Sequence, residues 1–172
     1  DPNTSFNPRQ RIGQLLDIPL KLNTNLEASA REKQINLTLR QVGLLPDHAY
    51  YYPQMLASGQ KQRVALARAL ILQPKIIIAD EALASLDMSM RSQLVNLMME
   101  LQEKHGISYI YVSQHLGMIK HVSDQLLVMQ NGEVVERGNT AEVIASPLHD
   151  ITRRMINSHF TEALTADHWR KD

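Results

Sequence analysis

Asp80 and Glu81 stand side by side directly after Lys75-Ile76-Ile77-Ile78-Ala79, a run apolar enough to read as a strand buried on both faces. Adjacent carboxylates at the carboxyl end of such a strand face the place where open α/β sheets take their ligands. Their types divide the work of phosphate chemistry. One carboxylate holds a hydrated Mg²⁺ on a nucleotide's phosphates, and the next orients or deprotonates the attacking water. Asp80 suits the first task and Glu81 the second. An ordinary strand-end turn accounts equally for the pair taken alone, so the surrounding residues must decide.

Upstream, Leu56-Ala57-Ser58-Gly59-Gln60 leads into Lys61-Gln62-Arg63 and an expected helix from Gln60 to Leu72. Small residues opening a helix leave backbone N–H groups free at its positive end, which suits a phosphate. A plain helix cap by Ser58 is the alternative. Downstream, His115 follows the apolar run Ile107 to Val112 through Ser113-Gln114, so it too is expected at the ligand end of the sheet, placed to sense or hold a terminal phosphate. A solvent-exposed histidine is the competing reading. No pair among the seven histidines has the spacing of an H-E-x-x-H zinc site.

The elements that must position these residues follow from periodicity. Helical spacing covers Arg9 to Leu22, with an interruption expected at Pro19, and Glu27 to Val42. A long connection with Gly43, Pro46 and Pro53 and three consecutive tyrosines precedes the helix at 60. Strand Lys75–Ala79, helix Met88–His105, strand Ile107–Ser113, a short helix and strand Gln125–Met129 then alternate in the rhythm of a parallel sheet with outer helices. Met90, Leu94, Leu97, Met98 and Leu101 make one apolar face of the second of these helices, read as core. Asn131-Gly132 predicts a hairpin joining Leu126–Gln130 to Glu133–Glu136, Asn139 with Glu142 has capping-box spacing, and Ile151, Met155, Ile156 and Phe160 predict a final helix.

Composition narrows the classes. Eighteen Lys plus Arg balance eighteen Asp plus Glu, so no global field holds the 172-residue chain on nucleic acid or an anionic membrane. The absence of cysteine removes disulfides, thiolate metal sites and cysteine nucleophiles, and a cytosolic setting is the simplest reading. No apolar run approaches the roughly 20 residues that span a bilayer.

Taken in order, these parts resemble the later portion of an ATP-binding cassette (ABC) ATPase: a signature loop at Leu56–Gln60, a Walker B strand ending at Asp80, the catalytic Glu81, a D-loop at Ala84-Ser85-Leu86-Asp87, and a switch His115. The resemblance implies an α/β fold, a partial RecA-like P-loop NTPase with a parallel sheet and an α-helical subdomain. It divides the chain into a helical part at 1–60, a catalytic part at 61–145 and a C-terminal extension at 146–172. It also implies ATP and Mg²⁺ as ligands, with Asp80 reaching the metal through water, Glu81 and His115 acting on the chain's own nucleotide, and the signature residues with Asp87 serving the nucleotide of a partner cassette. No G-x-x-x-x-G-K-[ST] occurs, and Asp1-Pro2-x-x-Ser5-Phe6-Asn7-Pro8-Arg9 resembles the segment just past the glutamine loop of peptide-importer ATPases. The chain is therefore expected to be part of a longer protein and to bind ATP poorly by itself.

For such importers the resemblance implies a second, non-identical ATPase subunit, two membrane-spanning permease subunits, peptide delivered by a periplasmic binding protein, and a place on the cytoplasmic face of a bacterial inner membrane. Tyr50, Tyr51 and Tyr52 fall where relatives meet the permease, although packing within the helical part is an equal alternative. One departure stands out. Where the family has Leu-Ser-Gly-Gly-Gln, this chain has Leu56-Ala57-Ser58-Gly59-Gln60, which moves or removes a hydroxyl. A regulatory cassette with little turnover is therefore the competing function, and a soluble DNA-repair or translation ATPase a third, disfavoured by the neutral charge.

Overall fold

The computed structural model describes residues 5–84 and 86–167, with side chains described to residue 158. The chain forms two compact units, residues 1–110 and 111–172.

In the first unit, helix α1 (Ile12–Asn23) buries Ile12, Leu15, Leu16 and Leu20 along one face. It runs through Pro19 without the expected interruption. Leu16 and Leu20, on either side of the proline, are almost fully buried, and their packing offsets the hydrogen bond the proline removes. Helix α2 (Ala28–Gln41) buries Ile35, Thr38 and Leu39 and is tied to α1 by Arg31 Nε, 2.7 Å from Asp17 Oδ1. Two short 3₁₀ turns, Pro46–Tyr50 and Pro53–Met55, fill the connection that the sequence leaves open. Tyr50 is the most exposed of the three tyrosines, Tyr51 packs its ring on His48, and Arg11 lies over the Tyr52 ring.

Helix α3 (Ser58–Leu70) begins two residues earlier than expected and buries Val64, Leu66, Ala67 and Leu70. Strand β1 (Ile76–Asp80) then departs from expectation. Ile77 and Ala79 are buried, but Ile76 is 57% and Ile78 67% exposed, so the strand is covered on one face only. Helix α4 (Met88–His105) has the expected bounds and buries Leu94, Val95, Met98 and Leu101, with Met90 and Leu97 half-buried. It stops at Gly106, whose φ of +64° is the left-handed cap that glycine adopts at least cost. Strand β2 (Ser108–Val112) pairs with β1, and Ser108 N–H donates to the Lys75 carbonyl at 2.8 Å. A helix between two neighbouring strands is the crossover of a parallel pair.

The second unit holds helix α5 (Leu116–Val122), strands β3 (Gln125–Gln130) and β4 (Glu133–Asn139), and helices α6 (Thr140–Ala145) and α7 (Asp150–Asp167). The hairpin forms as the Asn-Gly pair predicts, with φ of +51° at Asn131 and +85° at Gly132. Gln125–Met129 accordingly pairs antiparallel with β4, through a bulge at Val128/Met129, and does not continue the parallel rhythm. Asn139 caps α6 by accepting from Ala141 N–H at 3.0 Å. The final helix forms with Ile156 buried, while the side chain of Phe160 lies outside the described residues.

Candidate functional site

The turn after β1 is built from short local contacts. Asp80 is exposed at the strand's end, and Glu81 is half-buried with φ of +46°, a backbone region that side chains with a Cβ occupy at a cost. Ala84 N–H donates to the Glu81 carbonyl at 3.1 Å, and Leu83 and Leu86 plug the turn into the core. Asp87 ends it as the N-cap of α4, its Oδ1 accepting from Met90 N–H at 2.9 Å. Arg91, one turn along α4, donates from Nη2 to the Leu86 carbonyl at 3.1 Å. Ser85 of the expected D-loop, like Asp1 and Pro2, lies outside the described residues.

The signature turn is not capped by Ser58, the alternative weighed for it. Ser58 is the first helical residue and does not cap; Ala57 holds the N-cap position and has no side-chain oxygen to offer. Gln60 does this work in reverse, its Oε1 accepting from Ala57 N–H at 3.0 Å. Leu56 is buried and roots the turn, Ala57 and Ser58 are exposed, and Gly59 is buried against the end of Met90. A Cβ built on Gly59 would stand 1.9 Å from Met90 Cε, so an alanine there would displace the methionine's tip. The signature and D-loop turns thus meet: Ala57, Gly59, Gln60, Leu86, Met90 and Gln93 line one cavity of about 210 Å³. Arg63, which lines the same cavity, ties α3 to the preceding connection by donating from Nη1 to the Val42 carbonyl at 2.8 Å, close over Gly43.

In the second unit His115 sits at the N-cap of α5, half-buried, its N–H donating to Ser113 Oγ at 3.1 Å and its carbonyl accepting from Met118 and Ile119. That unit also holds a carboxylate the sequence does not point to. Glu136 on β4 is 9% exposed, and its oxygens accept from Leu148 N–H at 2.8 Å, His149 N–H at 3.0 Å and the Thr152 hydroxyl. Burial pushes its carboxyl up; the two backbone N–H groups, the Thr152 hydroxyl and the nearby His149 outweigh this and hold it below the ordinary glutamate value. No spacing marks Glu136 as buried, because its partners are mostly backbone.

Among the described residues no three His, Cys, Asp or Glu side chains gather to hold a metal ion, and no helix is long and apolar enough to cross a membrane. An exposed Asp80 at the end of a strand fits a Mg²⁺ whose other ligands are water and phosphate, the mode usual for this ion.

Residues 3–84, from near the start of the chain through both carboxylates, match the family model described as ABC transporter. This marks an ABC transporter domain in the chain. It is 75% identical over all its 172 residues to the peptide transport system ATP-binding protein SapF of Salmonella typhimurium, and 74% identical to the putrescine export system ATP-binding protein SapF of Escherichia coli K12. It spans 64% of the length of each. The di/tripeptide transport ATP-binding protein DppF of Pseudomonas aeruginosa is 42% identical over 92% of the chain and 49% of its own length. Among solved structures, cbiO1 of Clostridium perfringens, part of the transporter complex cbiONQ, superposes with a TM-score of 0.74 at 27% identity, over 90% of this chain and 64% of that one. The ABC fold expected from the motifs is thus the fold observed.

Proposed function

We propose that the chain is the signature-to-switch portion of an ATPase subunit that couples ATP hydrolysis to peptide transport. The observation that carries this reading is the Asp80-Glu81 pair at the carboxyl end of β1, in a chain 75% identical to a peptide transport ATP-binding protein. Mg²⁺ held through water by Asp80 would supply charge neutralisation at the phosphates. Glu81, pinned in its turn at positive φ, takes the proton of the attacking water. His115, at the head of α5, holds the terminal phosphate. Leu56–Gln60 and Asp87 serve the nucleotide of a partner cassette, and the cavity their turns share lets one turn set the other. Because Ala57 offers no hydroxyl, the composite site that uses this signature turn is the weaker of the two.

The partners that fit are a second ATPase subunit, two permease subunits and a binding protein that delivers peptide, with the ATPase on the inner face of the membrane. The putrescine export named for a relative of nearly equal identity favours a second reading, in which the cargo is a small polyamine moving outward. The test is phosphate release by the protein at the full length of its relatives, paired with its partner ATPase and permease in vesicles, on adding peptide or putrescine. Peptide-stimulated release carries the first reading and putrescine-stimulated release the second. A complex that binds ATP without turnover is the regulatory cassette and overturns both.

A further inference from the structure

The glycine of the signature turn is not needed there for backbone freedom. Gly59 is the second residue of α3, and the glycines at positive φ are Gly43, Gly106 and Gly132. An alanine at 59 would keep the same backbone. What it would not fit is a neighbour: a Cβ on Gly59 falls on Met90 Cε, whereas Met90 Sδ stands 3.5 Å from it, at ordinary contact distance. Only the terminal methyl of Met90 is in the way. The space that the glycine leaves open is thus filled by this chain's own methionine.

Met90 is tied at its other end to the D-loop. Its backbone N–H donates to Asp87 Oδ1 at 2.9 Å, and Asp87 opens α4 directly after Leu86. One half-buried residue therefore holds the end of the D-loop by its backbone and the first turn of α3 by its side-chain tip. Beside the tip lies the cavity of about 210 Å³ that Ala57, Gln60, Leu86 and Gln93 also line. Methionine is unbranched and adapts to irregular space, so a displaced tip has room to move into. Unseating it costs little stability and still breaks the contact.

We propose that Met90 is a positioning residue: its terminal methyl, seated on Gly59, sets the signature turn against the D-loop, and glycine stands at 59 to leave that seat open. This rests on the reading of both turns as contacts to a partner cassette's nucleotide. Met90 acts on that nucleotide only through Gly59 and Asp87.

An exchange of sizes in the full-length protein, studied with its partner ATPase, tests this. Met90→Leu keeps an apolar side chain that ends about where Sδ stands, so it removes the tip alone. Gly59→Ala pushes the tip into the cavity. Each should quicken backbone amide exchange at Ala57 about tenfold while leaving Tm close to wild type. Each should also lower kcat for phosphate release about fivefold, with KM for ATP moving less than about twofold. In the double variant the alanine methyl takes the place of the tip and meets the leucine, so exchange and kcat should both return to within about twofold of wild type. A double variant no better than Gly59→Ala overturns the proposal, because the alanine then acts on its own account. Wild-type exchange at Ala57 in Met90→Leu overturns the seat, and faster exchange with kcat unmoved overturns the positioning role. Should Gly59→Ala fail to fold, Met90→Leu alone decides by the same two readings. A wild-type pair that releases no phosphate instead sinks the proposed function, while the exchange at Ala57 still decides the contact.

Discussion

Two glutamates in this chain are treated in opposite ways. Glu81 lies in a tight turn at the end of β1, half-exposed, with its backbone at φ of +46°. Glu136 lies inside its unit with three hydrogen-bond donors around it and an ordinary strand backbone. The first position costs conformational energy and keeps a carboxylate where a ligand can reach it. The second satisfies a buried charge completely and in return fixes the entry to α7. The two carboxylates thus differ first in their backbones, one in a turn at positive φ and one in a strand.

Exchanging the two outcomes would break that contrast. Glu81→Gln in the full-length ATPase pair should lower turnover by about 10²- to 10⁴-fold, the range for a lost general base, with Tm unchanged. Undiminished phosphate release would remove Glu81 from the role. Glu136→Ala should do the reverse, leaving two backbone N–H groups and a hydroxyl without their acceptor and lowering unfolding stability by about 2–4 kcal/mol. Urea titration reads this, and a midpoint equal to wild type would mean that water replaces the carboxylate freely. Ala57→Ser should sharpen the picture of the first region by raising phosphate release about tenfold, since it returns a hydroxyl to the N-cap; an unaltered rate would show that the Gln60 cap already suffices.

The pH dependence separates the regions more finely. The folded-state value of Glu136 is depressed, so its stabilisation is fully present above the unfolded glutamate value of roughly 4.3 and is lost as pH falls through the folded value. The Tm gap between wild type and Glu136→Gln should therefore be steady at neutral pH and close below about pH 4. A gap that widens on acidification contradicts the sign. The smallest effect belongs to Asp87→Ala, which deletes the cap on Met90 N–H and should cost about 1 kcal/mol, read by the same urea titration.

Whatever depends on near neighbours was legible in the sequence. The Asn131-Gly132 turn, the span of α4 and the placing of Asp80-Glu81 at a strand's end all rest on contacts within a few residues, and each is where its pattern put it. What escaped depends on partners the pattern does not contain. A glutamate in the middle of a hairpin strand reads as solvent-facing, and nothing in β4 announces backbone donors 12 and 13 residues later. Three consecutive isoleucines read as a strand buried on both faces; in a chain that spans 64% of its relatives' length, the Ile77 and Ala79 face is covered and the Ile76 and Ile78 face is not. Pro19 reads as a break, and the burial of Leu16 and Leu20 overrides it. Of the site, the motif residues were legible by type and order, whereas the support of the signature turn, Gln60 on Ala57, became visible only with coordinates.

Glu136 and its three donors lie only 12 to 16 residues apart, with the Asn131-Gly132 turn just before them. Closing a loop of that length takes well under a microsecond, and a two-residue hairpin microseconds. Hairpin, hook and the first turn of α7 therefore need nothing from distant sequence in order to form. In the kinetics of folding this segment should lead, with its amides protected before those of β1 and β2, whose pairing must wait for an 18-residue helix to bring the two strands together.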